Sequence, residues 1–371
     1  MKKRYFHSID SLRFFAFLKV YLLHLPIQGD FPIFSFLKSG GGIGVSFFFV
    51  LSGFLISYLL IFEKVKKNRI NLKKFFFRRA LRIWPLYFLM VIIVFIIPFD
   101  FKEKIGFHMV GGGYDLDWKY SFTFLENYKM LLADQFPKTT PITVFWSLCI
   151  EEHFYLLWMI SLFIIPIKHV LKFLFLCIFI SWEARALETT IFNNSLIVSN
   201  DLFTNLDYFA IGGLLAYFIV TDYQKIIDFI QNISLQIKRL MVIVVVLVVV
   251  FQKYILPNEY GTILYILRPT IISLLFCILI SIFLPENSSI KIKSKLLSFL
   301  GVRGYGLYIY HIIFIHCGFQ YCITENIKID NWLVIGAFII FTLGGTIILS
   351  SISYKYFEMP FLAFREKKYF N

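Results

Sequence analysis

The chain has 371 residues, 58% of them hydrophobic and 20% aromatic, with a mean hydropathy of +0.74. A soluble domain of this length has no use for so much apolar surface, and the apolar residues come in runs of about 20, the length that crosses a bilayer as helix. The formal charge of +14 sits in Lys and Arg clusters between the apolar runs, which excludes nucleic acid as a partner and implies membrane lipid.

In chain order, the sequence predicts an all-α membrane protein of about ten transmembrane helices, over roughly 11–28, 43–62, 83–99, 143–166, 168–183, 206–221, 240–256, 263–285, 304–323 and 331–353. The start, MKKRYFHSIDSLRFF, is basic, but no small-residue cleavage site closes the first apolar run, so that run reads as a retained helix. With the N-terminus inside, the cytoplasmic segments hold 25 Lys and Arg and the outer ones 9, which predicts both termini in the cytoplasm. The cysteines (Cys149, Cys177, Cys277, Cys317, Cys322) form no C-x-x-C pair and lie in or beside apolar segments, so neither a disulfide framework nor a metal site is expected. Residues 1–371 read as a single integral-membrane domain with no fused soluble domain.

The first span carries Arg13 and His24. Ionisable groups at membrane depth are expensive and point to a functional site. Eleven helical steps separate the two, about 16 Å of rise and close to three turns, so they share a face. Asp10 lies one turn before Arg13 and can pair with it. His24 is suited to proton transfer near neutral pH, or equally to a hydrogen bond across a helix bundle.

The connection 63–82, EKVKKNRINLKKFFFRRALR, carries nine basic residues against one acid, Glu63. If it is helical, Arg79 and Arg82 share a face and, with neighbouring Arg78, offer guanidinium forks to phosphates at the membrane edge. An amphipathic segment lying on anionic lipid is the other reading. The outer stretch 100–142 is mixed in charge and rich in glycine and aromatics, with GGGYDLDW over Gly111–Trp118.

The block WSLCIEEHFY, Trp146–Tyr155, puts Glu151, Glu152 and His153 in an apolar span. Adjacent acids cannot share one helix face, so one is expected to turn inward, as an acid–base or orienting group or as a structural partner for Arg13 or Arg268. Gly301-Val302-Arg303-Gly304-Tyr305-Gly306 is neither a phosphate-binding P-loop nor a dinucleotide fingerprint, and its glycines suit close helix approach. His311 and His316 follow as further intramembrane candidates. Cys149 is a weak candidate nucleophile, because burial raises a thiol's pKa.

Taken together, IDSLRFFAFLKVYLLH (9–24), GIGVSFFFVLSGFLI (42–56), FFRRALRIWPLYF (76–88), WSLCIEEHFYLLW (146–158), LDYFAIGGLLA (206–216), LGVRGYGLYIYHI (300–312) and YKYFEMPF (354–361) resemble, in order, the acyltransferase-3 family of membrane acyltransferases, which includes bacterial surface-polysaccharide O-acetyltransferases. The resemblance implies a membrane-bound O-acyltransferase of the bacterial cytoplasmic (inner) membrane. It implies acyl-CoA, first of all acetyl-CoA, as donor, a surface polysaccharide or lipid-linked sugar as acceptor, and no metal. The family's Arg-x10-His pair falls on Arg13 and His24, with His24 as the catalytic base, and its Arg-x-x-Arg pair for the acyl-CoA falls on Arg79 and Arg82. Its acid in the WSL block falls on Glu151 and Glu152, its C-terminal histidine on His311 and its Glu-x-Pro on Glu358 and Pro360.

Departures from the pattern are Ser46 where many members carry aspartate, the extra cation Lys19, and Phe14 and Phe15 in place of small residues. The soluble SGNH-type extension of some members is not in this sequence. On the residues alone, a transporter or flippase of a lipid-linked saccharide is the alternative. An interaction protein whose charged pairs fix assembly is a third reading.

Overall fold

The structure is a computed structural model that describes residues 7–40, 42–108, 113–191, 196, 200–257, 259–285 and 288–369. Among these residues there is no β-strand, only the isolated bridges His108–Thr139 and Tyr114–Pro137. Gly111 and Gly112 of the outer stretch, and the basic residues Lys2, Lys3 and Arg4, lie outside the described residues.

Among the described residues, seven helical stretches are long and apolar enough to cross a membrane, or eight if the pair Tyr223–Asn232 and Leu235–Val250, bent by 96°, counts as one. The chain is therefore a multi-pass membrane protein. Two of the ten expected spans coincide with helices too charged to count among the seven. His7–His24 carries Asp10, Arg13 and Lys19 in 18 residues, and Ile167–Ile191 carries Lys168, Lys172, Glu183, Arg185 and Glu188. The latter helix also runs further than its apolar run, so Arg185, expected in an outer connection, is helical and buried.

The described residues fall into two compact units. The first comprises Met1–Ala16, Gly42–Leu72 and Glu151–Gly301. Its centre is the Ile43–Lys67 helix against the Leu206–Thr221 helix. Gly53 abuts the Phe209 backbone, and Gly212 abuts the carbonyl of Val50 and lies 2.7 Å, measured from an added Cβ, from the amide of Phe54. Backbone meets backbone because neither residue has a Cβ, the means by which small residues let membrane helices approach. An alanine at either position would force the helices apart, an overpacking cost of about 1–3 kcal/mol. Phe154 stacks on Phe209 at 3.9 Å, and the Trp158 indole donates to Ser57 Oγ at 2.7 Å. The Ile43–Lys67 helix ends in Lys64, Lys66 and Lys67 and a left-handed Asn68, the cations complementing the carbonyl end of the helix.

The second unit comprises Phe17–Gly41, Lys73–Ile150 and Val302–Asn371. Here the Gly304–Thr324 helix packs along the Trp332–Ser353 helix, with Tyr310 Oη donating to Ser353 Oγ at 2.9 Å. Tyr305 Oη donates to the Ile83 carbonyl at 2.8 Å, which ties the start of that helix to the Leu72–Ile96 helix. The stretch 100–142, expected outside, builds short helices at Phe99–Lys104, Trp118–Phe122 and Glu126–Ala133. It is fastened by Tyr87 Oη donating to the Ser121 carbonyl at 2.8 Å and by Ser121 Oγ donating to Glu126 at 2.7 Å.

Candidate functional site

Two clusters of ionisable side chains stand out in the second unit. One is built on histidine. His24 closes the first helix and His311 lies in the Gly304–Thr324 helix, 287 positions later in sequence, with the ring centroids 5.2 Å apart. His311 is wholly buried and packed edge-on by Phe17, while His24 is partly exposed.

Backbone carbonyls set the proton positions. His24 Nδ1 is 2.9 Å from the Val20 carbonyl and His311 Nδ1 is 2.5 Å from the Tyr308 carbonyl. A carbonyl oxygen only accepts, so in each neutral ring Nδ1 carries the proton and Nε2 is bare. His311 Nε2 lies 3.4 Å from His24 Nδ1, so the His24 N–H is shared between a carbonyl and an imidazole nitrogen. This leaves His24 Nε2 as the basic atom, and a proton taken there makes an imidazolium whose other N–H already has two acceptors. Such an arrangement suits general-base catalysis, with an orienting group behind the base.

Around the pair, His316 acts electrostatically on both rings and is hydrogen-bonded through Nδ1 to Thr140 Oγ1. Lys38 Nζ donates to the Leu25 carbonyl at 2.7 Å, next to His24. The unusual cation of the first helix, Lys19, is accounted for locally: its ammonium donates to the Leu37 and Ser39 carbonyls, at the C-terminal end of the short Pro32–Lys38 helix. Among the described residues, no group of His, Cys, Asp and Glu could hold a metal ion.

The second cluster is basic. The predicted amphipathic stretch is helical from Leu72, so Arg78, Arg79 and Arg82 sit in the first turns of the Leu72–Ile96 helix, all half-buried. Arg79 lies over the Phe75 ring at 5.9 Å. Arg82 and Arg303 both act electrostatically on the buried carboxylate of Glu358. Arg303, noted in the sequence only inside a glycine-rich block, is the member that sequence reading missed.

The remaining predicted residues belong to the first unit. Asp10 accepts from Arg13 at 2.7 Å, one turn apart on the helix. Glu151 accepts from Ser52 Oγ at 3.0 Å and from Tyr155 Oη at 2.6 Å, while Glu152 is buried. Arg268 donates to Gln252 at 2.8 Å. Ser46, in the place of the family's frequent aspartate, is hydrogen-bonded to Tyr208. A further pair went unnoticed in the sequence: Arg185 and Asp207, both with no exposed surface, joined at 2.8 Å. The signal was there, since two opposite charges stood in or beside separate apolar runs.

Comparison with known proteins adds the context for this geometry. The peptidoglycan O-acetyltransferase OatA of Listeria monocytogenes is 27% identical over 388 residues, covering 99% of this chain and 59% of the relative. The O-acetyltransferase OatA of Staphylococcus aureus is 26% identical over 374 residues, covering 96% of this chain and 57% of the relative. The chain thus spans somewhat under three-fifths of the length of these relatives. No solved structure matches it. The model of the acyltransferase domain matches residues 6–351, nearly the whole length, and the chain belongs to the acyltransferase-3 family.

Proposed function

We propose that this membrane domain, taken over residues 1–371, transfers an acyl group, acetyl first, from cytoplasmic acyl-CoA to a hydroxyl of a glycan at or across the bacterial cytoplasmic membrane. The observation that carries the reading is the His24–His311 pair, which presents a bare Nε2 at a partly exposed position in a chain of an acyltransferase family. Its relatives' names supply the acceptor class, peptidoglycan in one case and hence a glycan.

In the proposed reaction the acceptor hydroxyl approaches the thioester carbonyl while His24 Nε2 takes its proton. The new C–O bond forms, and the tetrahedral intermediate collapses by breaking the C–S bond. The departing thiolate takes the proton back from the imidazolium, so one ester and one free thiol replace one alcohol and one thioester. The charge that builds on the ring is held at Nδ1 by Val20 and His311. Arg79 and Arg82, with Arg78 beside them, hold the donor's phosphates, for which planar guanidinium forks are suited.

The test is proton NMR of the surface glycans of a host lacking the gene, complemented with wild type or with His24→Ala. Wild type is expected to restore an O-acetyl signal and His24→Ala to restore none at equal protein level, because losing a general base costs about 10²–10⁴-fold. Restoration by both would remove His24 from the chemistry. Absence of any acyl difference between deletion and wild type would remove the glycan acetyltransferase reading.

A further inference from the structure

The first unit keeps a membrane cation that the proposed reaction does not use. Arg268 lies less than two turns into the Ile263–Phe283 helix, directly before Pro269, and is half-buried. Its Nη2 donates to Oε1 of the buried Gln252 at 2.8 Å. Its Nε is buried and has no hydrogen-bond partner. Among the described residues no carboxylate pairs with it. The group that acts on its charge is the hydroxyl of Tyr208, itself hydrogen-bonded to Ser46.

The neighbouring Arg185 shows what a guanidinium kept for the fold looks like in this unit. Its Nε donates at 2.9 Å to the carbonyl of Ile266, two residues before Arg268, and both terminal nitrogens reach Asp207. It has no exposed surface. Arg268 differs on each count. Its bond to Gln252 is made by one nitrogen, its counter-ion is absent among the described residues, and part of it reaches the surface. Leaving a buried N–H unbonded costs stability, and so does a cation at membrane depth without a counter-charge. Such a group is kept where it faces a cavity or a ligand.

Resting on the acceptor reading above, we infer that Arg268 is an acceptor-binding residue whose guanidinium takes a carboxylate carried by the glycan. A guanidinium has five N–H donors, and Gln252 accepts from one of them. The edge that remains matches the two oxygens of a carboxylate, and one unmatched positive charge calls for one negative charge. The hydroxyls of Tyr208 and Ser46 and the amide of Gln252 give the guanidinium neutral, hydrogen-bonding company of the kind a sugar meets. In the orientation expected from the basic residues, the Ile263–Phe283 helix begins at the outer face, the side of a surface glycan. The phosphodiester of an anionic lipid carries the same single charge, so the test separates the two sources.

The full chain is placed in nanodiscs of phosphatidylcholine, with or without phosphatidylglycerol. Calorimetry measures binding of the disaccharide N-acetylglucosaminyl-N-acetylmuramic acid, which carries one carboxylate, and of diacetylchitobiose, which carries none. Release of free thiol from acetyl-CoA is followed in parallel with each sugar. Wild type is expected to bind the carboxylated sugar at least about tenfold tighter than the neutral one. Arg268→Gln should abolish that preference and leave chitobiose binding unchanged, with Arg268→Lys between the two because it keeps the charge and loses the fork. Chitobiose binding verifies that each variant is folded, and Arg268→Lys keeps the inference testable if the glutamine variant is not recovered. The Tm of Arg268→Gln is expected at or above that of wild type, because an unpaired membrane cation has been removed. A wild type without the preference overturns the inference, and so do variants that both keep it. If phosphatidylglycerol removes the preference of wild type, the guanidinium serves lipid phosphate and the inference is overturned. If wild type shows the preference and releases thiol with neither sugar, the acyl-transfer reading falls and Arg268 stands as the partner of the carboxylate.

Discussion

Two arrangements of arginine and carboxylate, one in each unit, differ in kind. Arg185 donates to Asp207 through both terminal nitrogens, to Ser181 Oγ at 2.9 Å, to the Ile266 carbonyl at 2.9 Å through Nε, and to the Thr204 carbonyl. Asp207 accepts in addition from Ser181 Oγ at 3.1 Å and Thr270 Oγ1 at 2.6 Å. Neither residue has exposed surface. Arg82 and Arg303 are half-buried, and both act electrostatically on the buried carboxylate of Glu358. Both arrangements put charge where charge is expensive, but only the first is wholly closed to solvent. A wholly buried ion pair offers a ligand no access, so the difference in exposure separates a structural charge from a binding one better than residue type does.

The comparison is broken most decisively in the first unit. Removing one partner of the closed pair, as in Arg185→Met or Asp207→Leu, leaves a buried charge without its counter-ion and is expected to cost about 3–5 kcal/mol. The double replacement Arg185→Met with Asp207→Leu should recover much of that loss, because an apolar pair has no desolvation cost to repay. Thermal unfolding in detergent checks it. A single variant as stable as wild type would show that the pair carries no structural weight and would erase the contrast.

A smaller effect, read in activity and not in stability, is expected at the histidines. His311→Phe removes the nitrogen that shares the His24 N–H while keeping a ring in the pocket, and kcat should fall about a hundredfold with little change in KM for donor. His311→Gln restores an acceptor at that place and should recover part of the loss. Equal loss in both variants, accompanied by a lower Tm, would mark His311 as a packing residue.

What the sequence allowed to be read follows from how local each signal is. Apolar runs about 20 residues long announced themselves, and every expected span has a helix. By length and composition seven or eight of them are apolar enough to cross, and the His7–His24 and Ile167–Ile191 helices differ from these in placing several charges among apolar residues. The Asp10–Arg13 pairing lies within one turn, and spacing alone anticipates it. His24 and His311 were each visible as intramembrane histidines, but nothing within either segment shows that the rings are neighbours across 287 positions. Arg303 was hidden for a different reason. Its glycine neighbours advertise close packing, and its ring partner Tyr354 and the carboxylate it acts on, Glu358, lie some fifty positions further along. The Glu151–Glu152 pair was legible as a site of tension, and the structure resolves part of it by giving Glu151 the hydroxyls of Ser52 and Tyr155.

A third buried charge site is Glu126 in the stretch 100–142, wholly buried and served by hydroxyls, with Tyr114 Oη donating at 2.5 Å and Ser121 Oγ at 2.7 Å. Burial raises its carboxyl pKa above the ordinary range, and the two hydroxyl bonds and the charge of Lys129 offset only part of that. A carboxyl whose folded pKa lies above its unfolded value favours the fold most when it is protonated. Its contribution is complete below the unfolded pKa and is lost as pH rises through the folded one. The stretch 100–142 should therefore loosen as pH climbs out of the usual carboxylate range, and Glu126→Gln, neutral at every pH, should flatten that dependence. Hydrogen exchange over 113–140 as a function of pH reads the effect directly. Protection that increases with pH in wild type would mean that the ionised carboxylate is the better partner for Tyr114 and Ser121, and Glu126 would then join Asp207 among the groups whose charge the fold fully supports.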